Sequence, residues 1–212
     1  MRFNDVLIAF HNQPCFDYSS VALLFPQGDA SLRTSLHRFK KSGKLLELRR
    51  GLYAFPEPWR KVTLHAPLVA NELYKPSYIS ERWALSWYGI IPEKVELITS
   101  LTTRPTRSFE NGFGRFIYRT IKPFVFNGWL TEIVAGAAIR IATREKALAD
   151  FLYLEAGEWT ESRMESMRFD PEGIDASALD LHLRATGEQR LVRASEAWKR
   201  YASAESAGSI SI

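Results

Sequence analysis

Cysteine is nearly missing from these 212 residues, with Cys15 the single example. One thiol closes no intramolecular disulfide, so the chain is expected in a reducing cytoplasm, held by its core. Long apolar runs are missing as well. The most apolar stretch, residues 133–142, is too short to cross a membrane and is interrupted by Arg140. The apolar patch at residues 6–10 is too brief for a signal peptide and has no small-residue cleavage pattern behind it. No internal repeat is present, and no low-complexity segment exceeds the final Ser/Ala/Gly residues.

Catalytic signatures are equally scarce. The four histidines, His11, His37, His65 and His182, are scattered without metal-ligand spacing. His11 and Cys15 lie four apart, but Pro14 breaks the helix that would align them. Gly112-Phe113-Gly114 lacks the third glycine and the strand-to-helix context of a dinucleotide fingerprint, and reads as a turn. There is no Walker A loop and no serine nucleophile elbow. Glu145, Lys146 and Asp150 could together hold Mg²⁺ and position a water. However, Lys146 and Asp150 are i, i+4 neighbours and read as an ordinary surface ion pair, while Glu145 suits the first turn of its helix. The expectation is therefore no catalytic residue, no metal and no cofactor.

An apolar content of 46% excludes global disorder, and the length allows one or two domains. Charge is uneven along the chain. Residues 1–61 carry ten basic and five acidic groups (+5), residues 62–155 eleven and nine (+2), and residues 156–212 seven and ten (−3). Such a gradient suggests a nucleic-acid-binding head on a body with other duties.

The head centres on residues 29–55. Leu32, Leu36 and Phe39, with Ser35 beside them, form one inward stripe, which predicts a helix over residues 30–42 capped by Asp29 and ended by Gly43. Thr34, His37, Arg38 and Lys41 point outward. Strands at residues 45–49 and 52–55 follow, and Arg50-Gly51 makes the tight turn between them. From Ala30 to Arg50, seven cations (Arg33, Arg38, Lys40, Lys41, Lys44, Arg49, Arg50) face one acid, Glu47, a net +6. Upstream, Phe3, Val6, Leu7 and Phe10 predict a first helix, and Asp17 caps a second that ends at Pro26. Gln27 and Gly28 then form the turn of a helix-turn-helix. The whole reads as a winged helix-turn-helix over residues 1–61, its DNA-contacting candidates being Arg33, Thr34, His37, Arg38, Lys40, Lys41, Arg49 and Arg50.

Residues 56–61, with two prolines, read as the link to a second domain at residues 62–212. That domain is expected to be α+β, with an antiparallel sheet and a helical C-terminal part. Pro67 opens one helix. Ser80 and Gly89 bracket a second around Trp83, Ala84, Leu85, Trp87 and Tyr88, so apolar that it should be largely buried. Strand-like runs occupy residues 95–101, 107–110, 114–122, 129–134 and 137–142, with hairpin turns at Asn111-Gly112 and Ala135-Gly136. Thr143 caps the next helix, with Ala147, Leu148, Phe151 and Leu152 facing inward. Helical spacing continues through Met164 and Met167, then Ala176, Leu179 and Leu183, and finally Leu191, Ala194, Trp198 and Tyr201.

Three blocks, GKLLELRRGLYAF, PSYISERWALSWYGIIPE and ATREKALADFLYL, in this order and approximate spacing, resemble the AbiEi-type antitoxins of bacterial abortive-infection toxin-antitoxin systems. The resemblance covers about residues 1–155. It implies an N-terminal winged helix that represses the antitoxin's own operon; because one winged helix of modest charge covers little DNA, binding to double-stranded DNA is expected at inverted repeats, as a dimer or by cooperative pairing. It also implies a C-terminal domain that counters a nucleotidyltransferase toxin without a stable complex. No membrane partner is expected. Two other readings fit the same residues: a stand-alone winged-helix regulator whose second domain senses a ligand or mediates assembly, and a metal-dependent DNA-acting enzyme built on Glu145.

Overall fold

Pro14 and Pro26 cut the start of the chain into short elements, because neither residue can donate the backbone hydrogen bond that would continue a helix. A computed structural model describes residues 1–26 and 28–209, apart from the side chains of residues 206, 208 and 209. Gln27, half of the expected turn, lies outside the described residues. Helix α1 spans Phe3–Phe10, strand β1 Phe16–Asp17, α2 Tyr18–Leu24, α3 Asp29–Lys41, β2 Leu46–Arg49 and β3 Leu52–Ala54. Asp17 caps α2, accepting from the Ser20 amide at 2.8 Å. The expected cap of α3 is corrected: Gly28 is the N-cap and Asp29 is the first helical residue, its carboxylate turned to side chains. Gly43 follows that helix at φ 71°, a left-handed backbone that glycine adopts without strain.

The three strands form an antiparallel sheet in the order β1-β3-β2. Strand β1 pairs through Phe16 with Tyr53 and was not legible as a strand at its two-residue length. The stripe Leu32, Leu36 and Phe39 is buried with Val6, Phe10, Phe16, Val21 and Phe55. Phe10 stacks on Phe16 with centroids 4.5 Å apart.

The chain forms two compact units: Met1–Lys75 with Phe109–Arg115 and Ile133–Ile139, and Pro76–Ser108 with Phe116–Glu132 and Arg140–Ile212. The first therefore continues past the expected link at residues 56–61 and takes in helix α4, Ala66–Leu73, whose N-cap is His65.

The larger sheet comprises β4 (Tyr78–Ile79), β5 (Ile98–Thr102), β6 (Arg107–Asn111), β7 (Gly114–Thr120), β8 (Trp129–Val134) and β9 (Ala137–Ala142). Its order is β6-β7-β5-β4-β9-β8. The expected antiparallel sheet is corrected here to a mixed one, because β5 pairs parallel with β7 and β4 parallel with β9. Burial explains the order. In each hairpin the second strand carries the apolar residues, Phe116 and Tyr118 on β7 and Ile139 and Ile141 on β9, and these strands take the interior positions. The polar strand β6 and the half-exposed β8 are left at the edges, where unpaired backbone meets water.

Helix α5 (Glu81–Trp87) follows β4, and α6 (Arg144–Leu154) follows β9. The expectation that α5 is largely buried is met at Ala84 and Leu85, but Trp87 is 48% exposed and stacks on Trp83. Helices α7 (Glu161–Ser166), α8 (Ala176–Arg184) and α9 (Gln189–Ser209) complete the chain. The Arg190 guanidinium donates to the carbonyls of Leu152, Tyr153 and Glu155 at 2.9–3.1 Å. A cation there meets the negative end of the α6 dipole and carbonyls at the end of the helix. Among the described residues, no helix is long and apolar enough to cross a membrane.

Gly128, just before β8, has φ 74°, and a Cβ there would lie 2.9 Å from both His182 Cε1 and Lys146 Cγ. Gly128→Ala therefore meets backbone strain and a clash together. It is expected to destabilise the second unit by about 2 kcal/mol or more, read as a lower urea midpoint.

Candidate functional site

Helix α3 exposes two adjoining rows of side chains because its opposite face is committed to the core. Thr34, Arg38 and Lys41 form the outermost row, with His37 shared between it and a second row, Arg33, His37 and Lys40, that turns toward the β2–β3 hairpin. Between α3 and the hairpin lies an open cleft of about 470 Å³, lined by Tyr18, Arg33, His37, Lys40, Arg50 and Tyr53 among others.

The eight expected contact residues divide by what holds them. Arg33 Nε donates to Asp29 at 2.7 Å, and its guanidinium lies over the Tyr18 ring, 4.6 Å from the centroid. Thr34 is exposed, and its hydroxyl donates to the Ala30 carbonyl. Lys40 pairs with Glu47 at 2.5 Å, which spends part of the basic excess. His37, Arg38, Lys41 and Arg50 are exposed and make no ion pair among the described residues. Arg50 sits in the turn beside Gly51, which has φ 76° and whose carbonyl accepts from the Tyr18 amide at 2.9 Å. Arg49 differs from the rest. It is half-buried, with Nε donating to the Leu73 carbonyl at 2.5 Å and Nη1 to the Arg50 carbonyl at 3.1 Å. A register shift between Glu47 and Arg49 accompanies this inward placement. Arg49 thus braces the hairpin from behind, and Arg50 is the guanidinium at its tip.

No protein-family model and no curated protein sequence matches this chain.

A second polar constellation lies in the second unit, and here the surface-pair expectation for Lys146 and Asp150 is corrected. Both are buried, at 3% and 2% exposure, with Nζ 2.6 Å from the carboxylate. Asp150 also accepts from Ser80 at 2.7 Å and Tyr78 at 3.0 Å, and Lys146 Nζ donates to the Val125 carbonyl at 2.8 Å. Ser80 remains the N-cap residue of α5, but its hydroxyl serves Asp150 in place of the helix amides. Burial raises the Asp150 carboxyl, opposed by the Lys146 ammonium and the two hydroxyls. Glu145 accepts from the Asp175 amide at 3.2 Å and takes no part in the Lys146–Asp150 pair. Among the described residues, no group of three or more His, Cys, Asp or Glu is placed to hold a metal ion. The missed signal was that Lys146 and Asp150 alternate with Ala147, Leu148, Ala149 and Phe151, leaving α6 apolar nearly all round.

Glu81, first residue of α5, is 3% exposed at φ 55°. Its Oε2 accepts from Arg119 Nη1 at 2.5 Å, while Oε1 is buried without a partner among the described residues. Burial pushes its carboxyl up to about 7 despite Arg119, with Asp150 and Glu155 adding repulsion. In the first unit, Cys15 Sγ donates to Glu72 at 3.2 Å, and burial pushes that thiol well above its ordinary value.

Removing one partner of the buried pair strands the other. Lys146→Met is expected to cost about 3–5 kcal/mol, and Lys146→Met/Asp150→Leu substantially less, in urea titrations of the whole chain. Glu81 makes stability pH-dependent. Its folded value lies above the unfolded 4.5, so the folded chain keeps a proton that the unfolded chain releases. This contribution is fully present below pH 4.5 and is lost as pH rises to about 7. Glu81→Gln should flatten that part of the stability profile, measured as Tm against pH.

Proposed function

We propose that this chain is a DNA-binding transcriptional repressor that acts as the antitoxin of an abortive-infection system in the cytoplasm. In this reading the helices α1–α3 and the three-stranded sheet are a winged helix-turn-helix, with α3 as the recognition helix and the β2–β3 hairpin as a short wing. The observation that carries it is the exposed row of Thr34, His37, Arg38 and Lys41 beside Arg50, on a unit whose opposite α3 face is sealed in the core. Such a surface offers backbone anchors and base-reading groups on one rigid element. The resemblance of the three sequence blocks supplies the antitoxin part, in which the second domain counters a nucleotidyltransferase toxin without a lasting complex. A module of this size buries roughly 600–1,000 Å² on DNA, so specific binding calls for two copies on an inverted repeat.

Titration of the DNA upstream of the chain's own gene tests the repressor. Arg38→Ala should relax preference at one base position and cost about 1–3 kcal/mol. Arg50→Ala should weaken every sequence alike and lower the slope of log K against log salt by about one unit. Arg49→Ala should chiefly lower the stability of the first unit. Equal affinity and slope in Arg38→Ala, Arg50→Ala and wild type would overturn the DNA face. Co-expression with a nucleotidyltransferase encoded next to the gene tests the antitoxin part separately, with growth as the readout; arrest in the presence of the full chain overturns it.

A further inference from the structure

Arg33 lies in the helix row that lines the cleft between α3 and the hairpin, opposite Arg50. It is a long side chain with 59% of its surface exposed, and such a group ordinarily samples many rotamers. Here it is held on two sides. Asp29 Oδ2 accepts from Nε at 2.7 Å, and the face of the guanidinium rests on the Tyr18 ring. Asp29 is held in turn, because its Oδ1 accepts from the Tyr18 hydroxyl. With Nε committed, the two terminal nitrogens make no hydrogen bond among the described residues, and their parallel N–H bonds match two oxygens of one phosphate.

We infer that Tyr18 and Asp29 are positioning residues that aim the terminal nitrogens of Arg33 at a DNA backbone phosphate seated in this cleft. The inference rests on the DNA-binding reading above and adds a division of labour to it. The outer row of α3 addresses bases, while Arg33, with Arg50 at the same cleft, addresses the strand that runs between helix and hairpin; Lys40 there is engaged by Glu47. Asp29 gives the arrangement a distinctive signature. An acid beside a polyanion repels it, so removing that charge alone should tighten binding; if Asp29 positions Arg33, removing it should weaken binding instead.

The test is a double-mutant cycle on the full chain, titrated with the upstream duplex and with a scrambled duplex of equal length at several salt concentrations. Arg33→Ala is expected to weaken both duplexes about tenfold and to lower the salt slope by about one. Asp29→Asn is expected to weaken both about threefold despite the added net positive charge. In the Arg33→Ala background the same change should strengthen binding, since charge alone remains. Tyr18→Phe, which keeps the ring under the guanidinium and deletes the hydroxyl, should give a smaller loss of the same kind. If wild type binds and Asp29→Asn binds as tightly or more tightly, the positioning role is overturned and the DNA-binding reading stands. If Asp29→Asn has the same effect with and without Arg33, the positioning role is likewise overturned. If wild type binds neither duplex, the DNA-binding reading falls and the inference with it.

Discussion

The second unit depends on satisfying one buried carboxylate. Asp150 is buried in the middle of α6, and its partners come from its own helix, from β4 and from the N-cap of α5. An unpaired carboxylate at that depth would cost several kcal/mol, so the helix cannot dock unless β4 presents Tyr78, and the N-cap of α5 presents Ser80, in register. The register is fixed in turn by the sheet, where β4 lies between β5 and β9. Lys146 adds the compensating charge and ties the segment at Val125 down over the helix, which is why Gly128 has no room for a side chain. Packing alone tolerates small rotations of a helix; a four-membered polar cluster does not, and it selects one seating of α6 on the sheet.

The first unit is built on the opposite principle. Its core is aromatic and aliphatic, and the charged groups of α3 lie at the surface, paired or exposed according to which side of the helix they occupy. This contrast explains what the sequence disclosed. Helical and strand periodicity located α3, β2, β3, β8 and β9 to within a residue or so, because each has one face in the core, and α6 was bounded by its Thr143 cap although it is buried nearly all round. The two-residue strands β1 and β4 have no period to detect, and they become strands through their neighbours. The mixed order of the large sheet was likewise invisible locally, since hairpin turns specify which strands are joined but not which strand enters the interior.

For the candidate site, the outward row of α3 followed from its inward stripe by geometry alone. Arg49 and Arg50 look equivalent as neighbours in a basic turn, yet one braces the Leu73 carbonyl and the other lies in solvent. Sequence spacing cannot separate them, because the register shift that turns Arg49 inward depends on pairing with β3. The Tyr18–Asp29–Arg33 arrangement was hidden for a related reason. Its i, i+4 pair was readable on α3, but the ring and hydroxyl that complete it come from a different helix. The buried cluster was hidden by a preference built into helix reading, which sends charged residues outward unless the whole helix is apolar.

The thiol of Cys15 has a practical consequence of a different kind. It is buried, donates to Glu72 and is held protonated by its surroundings, so it lacks the thiolate that alkylating reagents and oxidants attack. Toward such reagents the folded chain is expected to behave as if it contained no cysteine. A cysteine introduced on an exposed position of α3 or of the hairpin turn could therefore be labelled with a fluorophore or spin probe in the otherwise natural chain. Unfolding would then uncover Cys15 as a second reactive group, making the stoichiometry of labelling a direct count of molecules whose first unit has opened.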